Sequence, residues 1–335
     1  MRHRRYEGVH YARTQDGSEL PVIDVTHPAF ALPHDEARME KGVARFVRNE
    51  RARARIPRSI QRAILQLASR RSRLARAFYD ASEGVVGGMA LYAAKLGPTM
   101  LGPGYSGFID RLIAGAPPSR LARLRLEDMA RLLADGLGPI LAAKSGAPLH
   151  LFNIAGGPAA DSWNALLWLQ KERRGALGQR KIAINVLDRD EEGPAFGARA
   201  VAALRCEGGP LRELDVTFRR IAYDWRDTGA LGALLGEIDT ERDAVAVSSE
   251  GGLFEYGSDD EIVANLDAIR ARTPSGCVVA GSVTRAEGPP EFLREFAVRP
   301  RTLRAFGALA QRGGWTVARV IERALCYDVR LSKIA

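Results

Sequence analysis

Four short stretches of the 335-residue sequence end an apolar run in side chains that can do chemistry. "LHLFNIAGGPAADSW" (149–163) runs into Asn153 and turns through Ala155, Gly156, Gly157, Pro158 and Ala159. Small residues there let a ligand come close to the backbone, and a helix start just beyond offers free N–H groups. The same turn also suits packing alone. "KIAINVLD" ends in Asp188, a carboxylate suited to ribose hydroxyls through two charge-assisted hydrogen bonds. "LDVTFRRIAYD" ends in Asp224, which can accept from an adenine amino group, and Trp225 beside it can cover a ring face. "DAVAVSSEG" carries Ser248, Ser249 and Glu250 at its end, and Tyr256 follows on the loop. Glu250 has the chemistry of a general base or of a substrate-binding carboxylate. Its position fits a surface turn acid equally well.

The elements around these residues follow one pattern. From Leu149 onward, short β-branched apolar runs alternate with helical stretches through "CVVAGSV", "WTVARVIE" and "YDVRLSKI". That alternation predicts βαβ units and an α/β fold with a doubly wound, mostly parallel sheet. Ligands of such sheets bind outside the carboxyl ends of the strands, at the switch point. The last two runs predict an antiparallel closing edge. Residues 1–145 read differently, as an arm and a helical cap preceding a domain at 146–335. "QDGS" marks a hairpin turn in the arm. A helix beginning near "PHDEA" puts Met39, Val43, Phe46 and Val47 on one face, and Pro57 ends it. A second helix is expected to bury Ile60, Ile64, Leu67, Leu74 and Phe78. Residues 84–120 are rich in Gly and Pro, and a strong helix follows, closing at Gly146.

Composition narrows the class. Hydrophobic residues make up 46% and charged residues 27%, which suits a globular protein with a real core. No uninterrupted apolar stretch reaches the ~18 residues of a membrane span, and "MRHRRYEG" lacks the apolar region of a signal peptide. Three widely spaced cysteines, Cys206, Cys277 and Cys326, predict a reducing, cytoplasmic setting. The histidines show no metal-ligand spacing, so no metal site is expected. The net charge is +9, and eleven arginines lie between Arg45 and Arg76 against one acid, Glu50. Arg45, Arg48, Arg51 and Arg55 share a helical face that could contact phosphates. No aromatic residue interleaves between Arg48 and Arg76 to stack bases, so a solvated face is the better reading. A small molecule is the expected partner, with no role for a membrane. A homodimer is compatible with the sequence.

The order of these motifs resembles the class I S-adenosylmethionine (SAM)-dependent methyltransferases. Asn153-Ile154-Ala155-Gly156-Gly157-Pro158-Ala159 is similar to the family's first motif, Asp-Ile-Gly-Gly-Gly-Pro-Gly, and Asp188 and Asp224 match its second- and third-strand acids. "WTVARVIERALCYDVRLSKI" resembles the family's reversed last strand. The resemblance covers roughly residues 145–335. It implies that Asn153, Gly156, Gly157 and Pro158 cradle the methionine part of SAM, with Ala155, Ser248 and Ser249 beside it. Asp188 would take the ribose, and Asp224 with Trp225 the adenine. Methyl transfer to a small molecule is the simplest implied activity. The departures are Asn153, where the family carries a carboxylate, and two alanines at glycine positions. Asn153 either substitutes simply or leaves the SAM amine uncharged. The second case would suit intramolecular cyclisation, as in azetidine-2-carboxylate synthases, which are similar in fold. An RNA methyltransferase and a non-catalytic binder are the further alternatives. Tyr92, Lys95 and Tyr105 fall in the cap, where "LGPGYSG" is either a lid that stacks on the sulfonium or a plain helix connection. Tyr105, Glu250 and Tyr256 are the catalytic candidates.

Overall fold

The structure, a computed structural model, describes residues 5–32, 36–53, 55–81, 84, 86–105, 107–287 and 296–334. Each of the seven apolar runs is a strand: β3 (Leu149–Ile154), β4 (Lys181–Leu187), β5 (Asp215–Ile221), β6 (Ala244–Ser249), β7 (Val278–Thr284), β8 (Trp315–Glu322) and β9 (Cys326–Lys333). They form one sheet in the order β5-β4-β3-β6-β7-β9-β8. β3 pairs in parallel with both β4 and β6, so the chain changes direction across the sheet at β3. β9 is antiparallel to β7 and to β8. The last two runs thus form the expected antiparallel closing edge, with β9 inserted between β7 and β8 and β8 outermost.

Strand side chains alternate between two cores. On one face Leu149, Leu151, Ile182, Ile184, Ala246 and Ala280 pack with α6 (Pro117–Ala143), α7 (Ala160–Glu172) and α8 (Glu192–Leu204). On the other, Phe152, Ile154, Val245, Val247 and Val279 pack with α9 (Gly229–Leu235), α11 (Asp259–Arg272) and α12 (Leu303–Arg312). Burying a side chain of this size stabilises the fold by roughly 1.5–3 kcal/mol before the entropy of ordering it is subtracted. The alternation also decides which residues meet at the strand tips. Asn153, Asp188, Ser248, Glu250 and Ser282 all continue the first face, beyond the point where its apolar residues end.

The N-terminal residues are part of the same packing. β1 (Tyr11–Arg13) and β2 (Glu19–Pro21) form the expected hairpin. Leu20, Val22 and Ile23 share the first core with Trp163 and Leu166 of α7, and Trp163 Nε1 donates to the Ile23 carbonyl (2.9 Å). α6 lies directly on the sheet. The change near residue 145 is one of secondary-structure pattern, and packing is continuous across it. α1 (Glu36–Arg53) carries Val43 inward, while its expected start at 33–35 lies outside the described residues, as does the side chain of Met39.

The second predicted helix is two. α2 (Arg58–Ser69) ends at Arg70, and α3 (Arg73–Asp80) begins anew with Ser72 capping Ala75 N–H (2.9 Å). Leu74 is buried, but Ile60, Ile64 and Leu67 are 50%, 55% and 61% exposed. The stripe has helical spacing, yet α2 projects and packs chiefly against α3. Helical periodicity identifies a face without supplying its cover. Arg45, Arg48, Arg51 and Arg55 are exposed as well. No helix among the described residues is long and apolar enough to cross a membrane.

Candidate functional site

The loop after β3 is held from within. Asn153 is fully buried, and its Oδ1 accepts the Gly156 N–H (2.9 Å). A backbone N–H can only donate, so the amide orientation is fixed, and Nδ2 faces Asp161 Oδ1 (2.8 Å) and Ser248 Oγ (3.1 Å). Ala155, Gly157 and Ala159 all lie in the left-handed region, at φ 55°, 58° and 60°. For the two alanines this costs ~1–2 kcal/mol each relative to glycine. The Asn153 staple and the surrounding packing hold them there.

Gly157 and Pro158 are buried, and their neighbours explain it. α4 (Gly88–Lys95) meets the loop at its first residue, where a Cβ on Gly88 would lie 2.8 Å from Gly157 Cα. α8 meets it through Gly193, whose Cβ would lie 3.0 Å from Gly157 Cα, and through Gly197, against the Pro158 carbonyl. Close helix packing thus accounts for Gly157. Ala155 and Gly156 are the half-buried part of the loop that a ligand can approach. Asp188 is tied to the same loop: Oδ2 accepts the Gly157 N–H (3.0 Å) and Oδ1 the Asp190 N–H (2.9 Å). Burial raises its pKa against these two bonds. Each oxygen retains one further lone pair.

A buried ionic cluster lies next to the loop. Lys95 from α4 bonds Glu250 Oε2. Arg125 from α6 donates from Nε to Glu250 Oε1 (2.7 Å) and from Nη1 to Glu255 Oε1 (2.8 Å). Ser282 Oγ donates to Glu255 (2.8 Å) and accepts the Gly251 N–H (2.9 Å). Glu255 belongs to the short helix α10 (Leu253–Tyr256). Burial alone would raise the Glu250 pKa, but Lys95 and Arg125 outweigh it and hold the group ionised. A carboxylate stabilised in this way is a weak base, which tells against the general-base option for Glu250, and its burial tells against the surface-turn option. Arg125 and Glu255 escaped the sequence reading because nothing local marks a partner 130 residues away, and Asp161 and Ser282 because neither stands in a motif that marks it as part of a site.

Asp161 completes the group. Its Oδ1 accepts from Asn153 and from Ser162 N–H (2.9 Å), while Oδ2 is buried with no partner among the described residues. Burial, with Glu250 nearby, raises its pKa to about 6. A carboxyl whose folded pKa exceeds the unfolded value near 4 loses stability as pH rises through that window. Asp161→Asn keeps the oxygen that accepts both bonds. It should stabilise the fold at pH 7 by about 1–3 kcal/mol and flatten the decline between pH 4 and 6. Urea titrations across that range would show it, and an unchanged pH slope would contradict it.

The remaining predicted residues divide. Ser249 Oγ bonds the Ile154 carbonyl (2.9 Å) and accepts the Leu253 N–H (2.8 Å), so it joins the β3 and β6 tips. Asp224 is half-buried at the β5 tip, paired with Arg226, whose hydrogen bonds lower its pKa to about 2. Trp225 packs against the second core, and its carbonyl accepts from Asn265 (2.8 Å). Tyr105 lies under Arg73, 5.4 Å from the ring centre, in a loop whose Gly102 abuts the Glu19 carbonyl. That loop is docked on the hairpin, the contact expected of a connection. Tyr92 is a buried strut, accepting from Ile23 N–H (2.9 Å) and donating to the Pro21 carbonyl (2.8 Å). Tyr256 instead lines a cavity of about 150 Å³ beside the cluster, together with Arg125, Gly251 and Glu255. Tyr105 is not among its lining residues.

The chain is similar in fold to several solved structures. A possible exported protein from Bordetella parapertussis is 18% identical, with a TM-score of 0.57 over 91% of this chain and 100% of that one. An O-methyltransferase from neocarzinostatin biosynthesis, solved with S-adenosyl-L-homocysteine and 1,4-dihydroxy-2-naphthoic acid, is 16% identical at a TM-score of 0.36. The match covers 55% of this chain and 49% of that one, so the chain spans about half the length of that protein. Mitomycin 7-O-methyltransferase is 15% identical at a TM-score of 0.41, over 82% and 68% of the two chains. No protein-family model matches the sequence, and no curated protein does. The first likeness is one of fold, and at 91% coverage it includes N-terminal elements along with the sheet.

Proposed function

We propose that this chain is a SAM-dependent transferase that methylates a small molecule. The observation that carries the reading is the convergence of Asn153, Asp188, Asp224 and Glu250 at the tips of β3 to β6, around the switch point beside β3. The residues present fit the group. Ala155 and Gly156 leave backbone accessible for the methionine part. Asp188 keeps a lone pair on each oxygen for the ribose hydroxyls. Asp224 and Trp225 stand at the neighbouring tip for the adenine. SAM would supply an electrophilic methyl group. The chain's own contribution is to orient SAM and the acceptor and to exclude water. Free thiols at Cys206, Cys277 and Cys326 suit a cytoplasmic setting.

The cyclisation alternative leans on Asn153 leaving the SAM amine uncharged. The amide is instead engaged on all sides by Gly156, Asp161 and Ser248, so its neutrality serves the protein interior. Methyl transfer is the simpler use of this site. Asp188→Asn keeps an acceptor for the Gly157 N–H, gives up the one for the Asp190 N–H, and weakens both ribose bonds. It should lower SAM affinity by about 1.5–3 kcal/mol, roughly 10- to 100-fold. Calorimetric titration of both proteins checks this, and equal affinities would remove Asp188 from the site. Chromatography of SAM incubated with the protein alone separates the two chemistries. Methylthioadenosine would support cyclisation, and intact SAM supports methyl transfer.

A further inference from the structure

The 150 Å³ cavity has two unlike ends. Its walls are apolar: Phe78, Val86, Leu91, Leu121, Phe296 and Val298. Phe78 and Phe296 meet edge to face, with ring centres 6.3 Å apart. Its floor is the edge of the ionic cluster, with Arg125, Glu255, Tyr256 and Thr284. Apolar cavities of this size take up one benzene-sized ring.

The floor sets the polar requirement. Arg125 uses Nε and Nη1 on the two glutamates. A Cβ on Gly251 would lie 2.7 Å from Arg125 Nη2, and Gly251 has φ +71°. Glycine there leaves that edge of the guanidinium uncovered, and Nη2 has no hydrogen-bond partner among the described residues. Nor has the Tyr256 hydroxyl, whose pKa burial raises to about 12, so it stays protonated and donates. The cavity therefore offers donors to an oxygen. It does not offer net positive charge, because Glu250 and Glu255 balance Lys95 and Arg125. An anionic ligand would lose its hydration without a free counter-charge.

We propose that this cavity binds a neutral, single-ring aromatic molecule bearing one oxygen acceptor, held by Arg125 Nη2 and the Tyr256 hydroxyl. Gly251 lines the cavity, while a Cβ on Gly252 would lie 2.8 Å from the Ile154 carbonyl and 2.9 Å from that of Ala155. Two residues thus separate the ring from the loop after β3. As the acceptor site this rests on the methyl-transfer reading; as a binding site it stands apart from it.

The test titrates p-cresol, toluene and benzoate into SAM-free protein by calorimetry, with SAM titrated separately. p-Cresol should bind about tenfold more tightly than toluene, as expected for two gained hydrogen bonds, and more tightly than benzoate. Tyr256→Phe should reduce p-cresol affinity about 3- to 10-fold and leave toluene unchanged. Ala122→Phe, which fills the cavity, should abolish binding of both. Tyr256→Phe removes one hydroxyl and decides the matter if Ala122→Phe does not fold. Benzoate binding best, no ring binding at all, or p-cresol binding indifferent to Tyr256→Phe would overturn the proposal. p-Cresol binding without SAM binding would support the cavity site and remove the methyl-transfer reading. SAM binding without p-cresol binding would do the reverse.

Discussion

Asn153→Asp is expected to destabilise the fold by about 3–5 kcal/mol at pH 8. In the native protein, Nδ2 faces Asp161 Oδ1 at 2.8 Å. The substitution places a second carboxylate there, fully buried, while the Gly156 N–H already claims the other oxygen. Two carboxylates at this distance cannot both ionise, and the pair must retain a proton. The sign of the pH dependence follows. The folded variant binds a proton that the unfolded chain releases near pH 4, so stability is greatest at low pH and falls as pH rises through 6 and beyond. The double variant Asn153→Asp with Asp161→Asn restores one donor and one carboxylate with their places exchanged, and should recover most of the loss. Urea unfolding of the four proteins at pH 5 and pH 8 measures all of this. A single variant as stable as the parent at pH 8 would mean that the Asn153 amide is not the internal staple described above.

Arg125→Met is expected to cost about 3–5 kcal/mol, because it leaves two buried carboxylates short of a partner. Glu250 would keep Lys95, and Glu255 would keep, among the described residues, only the Ser282 hydroxyl. Adding Glu255→Gln to that variant removes the least compensated charge and should return a substantial part of the stability. The coupling between the two sites is then the informative quantity, and a double-mutant cycle isolates it. Additive losses would show that Arg125 and Glu255 do not interact across the β6 tip.

The sequence was legible where the physics is local. Short β-branched apolar runs at β3, β4, β6 and β7 announced strands, and the residues ending β3 to β6 announced a row of polar tips. The small residues after Asn153 announced a tight turn, although Gly157 turned out to accommodate α4 and α8. The ionic cluster was not legible, since Lys95 and Glu250 are 155 positions apart and Arg125 and Glu255 are 130 apart. Glu250 looked like a free acid because its two cations come from helices that sequence alone could not set above it. α2 failed in the opposite way. Ile60, Ile64 and Leu67 have the spacing of a buried face, but whether a face is covered depends on where its helix docks. For "LGPGYSG" the sequence left a lid and a plain connection open, because the contact of Gly102 with β2 that bears on the choice is not local.

Titration of SAM into the folded protein tests the central claim most directly. The expected result is a single binding site per chain, weakened roughly 10- to 100-fold by Asp188→Asn, as for charge-assisted hydrogen bonds. Absence of SAM binding by protein shown to be folded by circular dichroism would contradict it, and would make the convergence of Asn153, Asp188 and Asp224 a feature of the fold alone.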